Sequence, residues 1–370
     1  ISADGQRKHT LKVEKTYDLK RNVKSWNNRE SINFGIFPFY RIPQSNNNFP
    51  NITNRYVVMH NINGNSDDFQ SSELSFYREG ENQPIGGING FEANDNVNAK
   101  FYHLDKPNYD NSFDYIQIVW KQDENNSTCG IVIPVFPPQG NGSNIYTYGI
   151  DFGTTNTHIA YKSGTDIISF GPDEIRMQVG YLNALNADNY DNSCGSGNKE
   201  IMLNEKRHFF PHSDESYSFP IRTASLKQNG FDDGSGLFSG ACIGFNYSKE
   251  YERDDHYEAE LKWKLDNQNS ATIKKQTELF FKEILWMVKN HWLLSTASDK
   301  RIKPKIVITY PQAMTNHGRL FRIWKDAYMA VFECDKTISD QKVEEMVESL
   351  APCILNITRN TLGEIGRAHV

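Results

Sequence analysis

The chain has 370 residues, of which 38% are hydrophobic and 12% aromatic, and its formal net charge is −6 at pH 7. Because domains usually contain about 100–200 residues, two domains are expected. The negative charge and the lack of a long Lys/Arg run exclude the electrostatic footprint of a nucleic-acid or anionic-membrane binder. No apolar run approaches the length of about 18 residues that a membrane-spanning helix needs. From the charge and this length together, neither nucleic acid nor membrane is expected as a partner.

The cysteines are far apart in the sequence and form no C-x-x-C pair. They are Cys129, Cys194, Cys242, Cys334 and Cys353. This spacing favours reduced thiols over a disulfide framework or a zinc site. The sequence therefore predicts a cytoplasmic protein.

Residues 1–140 are predicted to form a β-rich accessory domain, either an antiparallel sandwich or a barrel. Short segments rich in β-branched and aromatic residues, among them INFGIFPFYRI, RYVVMHNI and FDYIQIVWKQ, alternate with clusters of Asn, Gly, Pro and Asp. The run from Pro137 to Asn144, PPQGNGSN, has almost nothing to bury. It is the expected domain boundary.

Residues 145–164, IYTYGIDFGTTNTHIAYKSG, predict two strands joined by a tight turn. Large side chains alternate with small or polar ones on both sides of the turn (Tyr146, Tyr148, Ile150 and Phe152, then Thr157, Ile159 and Tyr161). Backbone N–H groups and two threonine hydroxyls at such a turn can surround phosphate oxygens without a lysine. Asp151 beside it can hold Mg²⁺, which normally binds one or two carboxylates together with substrate phosphates. The stretch predicts a nucleotide site, the alternative being an ordinary hairpin with a surface aspartate.

Beyond residue 270 the sequence predicts alternating helices and strands, and hence an α/β domain. Ser270 is the expected N-cap of a first helix. Its inner face carries Ile273, Phe280, Ile284, Val288 and Trp292, and its outer face carries Lys274, Glu278, Lys282 and Lys289. A buried strand, KIVITYP, and a second amphipathic helix over residues 319–332 follow. Residues 339–358 fit either one helix or a strand followed by a helix that begins at Ser349.

The stretch GIDFGTTNTHIAY resembles the first phosphate-binding loop of the actin-like ATPase superfamily, nearest its DnaK-type heat-shock chaperone branch. Two later elements resemble the family in the same order. They are VITYPQAMTNHGR, with Pro311 and Arg319 at the family spacing, and VEEMVESLAP, with Glu348. The resemblance covers about residues 145–360 and implies a ribonuclease H-like actin-type ATPase subdomain, a mixed sheet with helices.

The resemblance also implies where the chain falls within such a protein. Residues 145–362 correspond to the N-terminal half of the ATPase domain, and the family's second phosphate loop and adenosine pocket lie beyond it. The chain is therefore expected to be a fragment without competent hydrolysis. Residues 364–370, EIGRAHV, resemble translated sequencing-adapter DNA and are left out of the fold prediction.

The resemblance implies ATP and Mg²⁺ as ligands, and ATP hydrolysis coupled to conformational change. Asp151 would organise Mg²⁺, and Glu348 would orient the attacking water. The nucleotide-binding turn would comprise Gly153, Thr154, Thr155 and Asn156. A lysine near the γ-phosphate would be Lys262 or Lys264, with Lys227 as a third candidate. Pro311 and Arg319 would relay the nucleotide state to another domain.

Two alternatives stay open at this point. The first keeps the fold but transfers phosphate to a small-molecule hydroxyl, as in the sugar-kinase branch of the superfamily. The second is a non-enzymatic binding protein in which a degenerate nucleotide site accompanies the β-rich region. A protein client or partner is a further expectation of the chaperone-like hypothesis.

Overall fold

The computed structural model describes the following parts of the chain. They are residues 31–41, 56–63, 71–92, 99–104, 112–121, 127–137, 140–171, 174, 180–183, 220–226, 257–267, 270–297, 302–314 and 317–347. These ranges contain sixteen strands and four helices, numbered β1 to β16 and α1 to α4 in chain order. None of these helices is long and apolar enough to cross a membrane.

Two antiparallel sheets form the first part of the structure. The first contains β1 (Ser31–Phe37), β2 (Tyr56–Asn63), β4 (Gly90–Glu92), β5 (Ala99–Leu104) and β11 (Gly180–Asn183). The second contains β3 (Ser71–Tyr77), β6 (Tyr115–Lys121) and β7 (Ser127–Val132). Their strand orders are β11-β1-β2-β5-β4 and β3-β6-β7. The β-rich prediction for this part of the chain agrees with the strands that the structure describes.

Aromatic side chains fill the space between these two sheets. Phe76 of β3 meets Tyr102 of β5 with ring centroids 5.7 Å apart, and Phe113 lies edge-on to both Phe76 and Tyr56. The Leu74 N–H donates to the Tyr102 hydroxyl oxygen at 3.0 Å, so the one polar atom of that buried ring has a partner. Strands with large apolar residues at alternate positions therefore bury one face of each sheet against the other.

The strand β11 connects the two parts of the chain. It lies after the predicted boundary at residues 137–144, yet it pairs antiparallel with β1, matching Asn33 with Asn183 and Ile36 with Gly180. The first sheet is thus completed by residues from the later part of the chain. The division into two domains at that boundary stays a prediction.

A mixed sheet forms the second part of the structure. It contains β8 (Thr147–Phe152), β9 (Asn156–Ser163), β10 (Asp166–Ser169), β12 (Ile221–Arg222), β15 (Lys305–Tyr310) and β16 (Val343–Val347). The order is β10-β9-β8-β15-β16, with β12 beside β9. β15 runs parallel to β8 and to β16, whereas β9 is antiparallel to β8, β10 and β12. A separate ribbon pairs β13 (Ala224–Leu226) with β14 (Tyr257–Ala259).

Helices cover the face of this sheet that carries the alternating apolar residues of β8. They are α1 (Leu261–Asn267), α2 (Ala271–Ser295), α3 (His317–Phe332) and α4 (Lys336–Lys342). The predicted N-cap is confirmed, because the Ile273 N–H donates to the Ser270 hydroxyl oxygen. The predicted inner face of α2 is buried throughout, and Phe281 of α2 stacks on Trp324 of α3 with centroids 3.8 Å apart. The coarse fold is therefore α/β with a mixed sheet.

The prediction that Lys289 faces outward is wrong. Its side chain is only 4% exposed, and its ammonium donates to the Val331 carbonyl oxygen at 2.7 Å. The carbonyl groups in the last turn of a helix have no partner within the helix, so they attract a cation. The helical period alone placed Lys289 outside, because it did not include the end of α3.

The two alternatives for residues 339–358 are decided only in part. Val343–Val347 form the strand β16, with Val343 buried and paired with Ile306. The predicted helix start at Ser349 lies outside the described residues.

Candidate phosphate-binding site

The turn between β8 and β9 is anchored from the core side of the sheet. Phe152, the last residue of β8, is fully buried against Phe281 and Phe280, with ring centroids 4.8 and 5.9 Å away. Gly153 follows, and a Cβ atom at that position would lie 2.3 Å from the Asn156 carbonyl oxygen. Only glycine therefore fits this tight approach of the two strand ends.

Thr223, which directly follows β12, fixes the turn through three hydrogen bonds. Its hydroxyl donates to the Gly153 carbonyl oxygen at 2.8 Å, and its backbone N–H donates to the Thr155 carbonyl oxygen at 2.9 Å. Its hydroxyl oxygen also lies 2.8 Å from the Thr157 hydroxyl oxygen. Because the single Thr223 hydroxyl proton goes to Gly153, Thr157 is the donor in that contact. Both threonine side chains are buried, so these bonds are shielded from water.

These bonds set the direction of the peptide groups in the turn. The C=O and the N–H of a trans peptide point in opposite directions. Since the carbonyl groups of Gly153 and Thr155 face Thr223, the N–H groups of Thr154 and Asn156 point away from it. Although Thr155 separates these two N–H groups, they point the same way and can both donate to one anion.

Asp151 lies beside the turn on the opposite face of β8 from Phe152. Its carboxylate is exposed, and one oxygen accepts a hydrogen bond from the Thr309 hydroxyl at 2.7 Å. β8, β15 and β16 run parallel, so their carboxyl ends meet at the same edge of the sheet as the turn. Asp151 thus presents a fixed carboxylate close to this edge.

The fit of this carboxylate to Mg²⁺ can be judged from the donor set. Within the described ranges no three His, Cys, Asp or Glu side chains lie close enough to hold a metal ion by themselves. A magnesium ion that arrives with a nucleotide needs only one or two carboxylates, since phosphates and waters supply the other ligands. Asp151, one oxygen of which accepts from Thr309, can serve as that single protein carboxylate.

The two predicted lysines have different surroundings. Lys262 of α1 is 2% exposed, and its Nζ lies 5.9 Å from the ring centroid of Phe152, directly before the turn. Lys264 forms an ion pair with Glu258 instead. The structure therefore brings Lys262 close to the side chain that directly precedes the turn. Lys227 lies outside the described residues.

Trp263, between these lysines, reaches the turn directly. Its indole Nε1–H donates to the Thr154 hydroxyl oxygen at 2.7 Å. Both residues are partly buried. The residue before α1, Glu260, has a φ of 58°, in the left-handed region that few residues other than glycine adopt. A strained backbone conformation thus precedes the helix that contacts the turn.

The remaining predicted residues lie at or beyond the strand ends. Pro311 directly follows β15, and its carbonyl oxygen accepts from the Met314 N–H at 2.9 Å. Arg319 of α3 donates to the Leu265 carbonyl oxygen of α1 at 3.3 Å, so it connects the helix after β15 to the helix that contacts the turn. Glu348 would follow β16 at the same sheet edge, but it lies outside the described residues.

Sequence reasoning missed three side chains that shape this site: Thr223, Trp263 and Thr309. Each lies within four residues of a predicted site residue, namely Lys227, Lys262 or Pro311. The prediction for these segments considered the charged lysines and Arg319 and not the neutral donors. Their hydroxyl and indole donors are visible in the sequence, but only the tertiary structure shows that these donors reach the site.

A scan against protein-family models finds no matching family. No curated protein is significantly similar in sequence to the chain.

Proposed function

We propose that the chain binds ATP as its magnesium complex at the turn between β8 and β9, as part of a chaperone-like ATPase of the actin-like superfamily. The observation that carries this proposal is the orientation of the turn. Thr223 occupies the Gly153 and Thr155 carbonyl groups, so the N–H groups of Thr154 and Asn156 are directed away from it, beside the exposed carboxylate of Asp151. A site for an anion next to a site for a cation suits a magnesium-bound phosphate chain.

The strand order of the mixed sheet supports the proposed family. With β12 set aside, because it pairs only with β9, the strands β8, β9, β10, β15 and β16 are numbered one to five in chain order, and they lie in the order 3-2-1-4-5. The second strand is antiparallel to its neighbours, and a helix separates the third from the fourth and the fourth from the fifth. A mixed sheet with helices between its strands supports the ribonuclease H-like subdomain that the resemblance implies. The order also places the turn after the first strand next to the end of the fourth.

Each residue has a defined part in the proposed site. Bound Mg²⁺ would neutralise phosphate charge, and Asp151 would hold it through the carboxylate that Thr309 fixes. The N–H groups and hydroxyls of Thr154, Thr155 and Asn156, with Gly153 allowing the close approach, would bind the phosphate oxygens. Lys262 is the better-placed lysine for this site, and Glu348 would orient water. Few groups are required, because phosphoryl transfer to water depends mainly on positioning and electrostatics.

The test compares two exposed aspartates that both accept a threonine hydroxyl. Asp151→Asn removes the proposed Mg²⁺ ligand, and Asp166→Asn removes a carboxylate on β10 that accepts from the Thr165 hydroxyl at 3.4 Å. We expect calorimetric titration with Mg·ATP to show binding by the wild-type chain, at least tenfold weaker binding by Asp151→Asn, and unchanged binding by Asp166→Asn. With EDTA present, the difference between Asp151→Asn and wild type should disappear.

Two results would contradict the proposal. One is no heat of binding at millimolar Mg·ATP, which would favour a non-enzymatic binding protein. The other is equal affinity of the wild-type and Asp151→Asn chains for Mg·ATP. ATP consumption that requires an added hydroxyl compound would instead identify the kinase alternative. A protein client remains the partner that the chaperone-like proposal implies.

A further inference from the structure

The hydrogen bond between Trp263 and Thr154 has a fixed direction. An indole N–H is only a donor, whereas a hydroxyl has one proton to donate and two lone pairs that accept. At the 2.7 Å contact the Thr154 oxygen must therefore be the acceptor. Its own proton stays available for a different acceptor.

We propose that Trp263 is a positioning residue for the phosphate-binding turn, acting through Thr154. By filling one acceptor position of the hydroxyl, Trp263 restricts its rotation and leaves the proton for a phosphate oxygen, which can only accept. Hydrogen bonds to charged acceptors are shorter and stronger than bonds between neutral groups, so the direction of this hydroxyl affects affinity. The inference rests on the proposed function, because it names phosphate as the ligand of Thr154.

The contacts of the turn make Trp263 one of two residues that fix its conformation. Thr223 fixes the carbonyl groups of Gly153 and Thr155 from the β12 side of the sheet, and Trp263 fixes the hydroxyl of Thr154 from α1. The first support sets the backbone N–H directions, and the second sets a side-chain donor. Both act before a ligand arrives, so the turn needs little reordering when it binds.

Trp263 also connects the turn to the helix after β15. It belongs to α1, whose Leu265 carbonyl oxygen accepts from Arg319 of α3 at 3.3 Å. A shift of α1 would therefore move two groups together: the Trp263 N–H that donates to Thr154, and the Leu265 carbonyl that accepts from Arg319. The Trp263–Thr154 hydrogen bond thus joins the turn to α1, and the Arg319–Leu265 hydrogen bond joins α1 to α3.

The test is a double-mutant cycle on the full chain, with Mg·ATP as the probe. Trp263→Phe keeps an aromatic ring but removes the N–H, and Thr154→Val removes the hydroxyl at nearly constant shape. We expect each single variant to raise the dissociation constant for Mg·ATP roughly tenfold. The double variant should bind no more weakly than Thr154→Val alone, because both changes remove the same ordered hydroxyl. Thr154→Ser, which keeps the hydroxyl, should retain the sensitivity to Trp263→Phe.

A matched control separates positioning from general loss of structure. Trp292 is a buried tryptophan of α2 whose indole nitrogen has no hydrogen-bond partner among the described residues. Trp292→Phe therefore removes an indole without removing a contact to the turn, and its Mg·ATP affinity should equal that of the wild type. Melting temperatures of all variants show whether each chain is folded.

The outcomes distinguish the two proposals. If the wild-type chain binds Mg·ATP and Asp151→Asn weakens binding, but Trp263→Phe binds normally, the positioning role is overturned and the proposed function stands. Additive effects of Trp263→Phe and Thr154→Val would also overturn the positioning role. If the wild-type chain does not bind Mg·ATP, both proposals fall.

Discussion

His60 is a buried histidine whose ring nitrogens both have no hydrogen-bond partner among the described residues. It lies in β2 between Phe34 of β1 and Lys100 of β5. Burial, and secondarily the charge of Lys100, lowers its pKa from 6.5 to about 4. The folded chain therefore keeps this imidazole neutral at pH values where the unfolded chain protonates it.

This shift predicts how stability depends on pH. At pH 8 the imidazole is neutral in both states. Below pH 6.5 the unfolded chain gains a proton that the folded chain does not bind, so the free energy of unfolding decreases until His60 titrates in the folded state near pH 4. The expected loss from this residue between pH 8 and pH 5 is about 2 kcal/mol.

His60→Leu should remove that loss. Leucine is similar in size and has no polar atoms that need partners, so the variant should be as stable as the wild type, or more stable, at pH 8. Urea unfolding at pH 8 and pH 5 measures the difference. His291, whose pKa burial also lowers to about 4, contributes loss in the same direction, so some pH dependence should remain. If the stability of His60→Leu depended on pH as strongly as that of the wild type, the loss could not be assigned to His60.

Gly153→Ala is the second residue-scale prediction. The added Cβ would meet the Asn156 carbonyl oxygen at 2.3 Å, which neither strand end can avoid without moving. We expect at least tenfold weaker Mg·ATP binding and destabilisation of about 1–3 kcal/mol. Gly149→Ala in the same strand is the control, because the nearest atom to its Cβ would be the Ala160 carbonyl oxygen at 4.0 Å. Similar losses in both variants would show that the tight approach at Gly153 has no special effect.

At the scale of elements, two lysines stabilise the carboxyl end of α3. Lys289 of α2 donates to the Val331 carbonyl oxygen, and Lys303 donates to the Phe332 carbonyl oxygen, each at 2.7 Å. Lys289 also lies 3.4 Å from a carboxylate oxygen of Glu333. Cations at this end of a helix offset the partial negative charge of its last carbonyl groups. α2 and α3 are therefore joined by polar contacts as well as by the Phe281–Trp324 stack.

Lys289→Met tests this contact. The variant keeps most of the side-chain volume but leaves the Val331 carbonyl without its ammonium donor, and we expect the free energy of unfolding to fall by about 2 kcal/mol. Lys274→Met, at an exposed position in the first turn of α2, should change it by less than about 0.5 kcal/mol. Denaturation in urea gives both values. Equal effects would mean that the buried contact adds nothing to stability.

The elements differ in how far the sequence predicts them. The β8–β9 hairpin and the start of α2 follow from local patterns, alternation around Gly-Thr-Thr in one case and Ser270 before an amphipathic run in the other. Lys289 was misplaced because its partner lies 42 residues away along the chain. Thr223 and Trp263 were missed for the same reason, since only tertiary structure brings them to Thr155 and Thr154.

At the scale of the whole molecule, the sequence predicts the succession of β-rich and α/β parts but not the pairing between them. Strand β7 ends before the proline and glycine run, and β8 begins after it, as composition indicates. Nothing local in Gly180–Asn183 identifies β1 as its partner. Pairing over such a distance depends on the completed fold, and a period of two residues carries no information about it.

The position of β11 has a consequence for synthesis of the protein. Ribosomes release a chain from its amino end, and early regions commonly fold while later ones are still being made. Here β1 emerges about 150 residues before the strand that covers its second edge. An open strand edge is a template for pairing with other chains. Until residue 183 has been translated, the open edge of β1 can therefore pair with other chains. The native sheet forms only if such aggregation is slower than translation or is prevented by a chaperone.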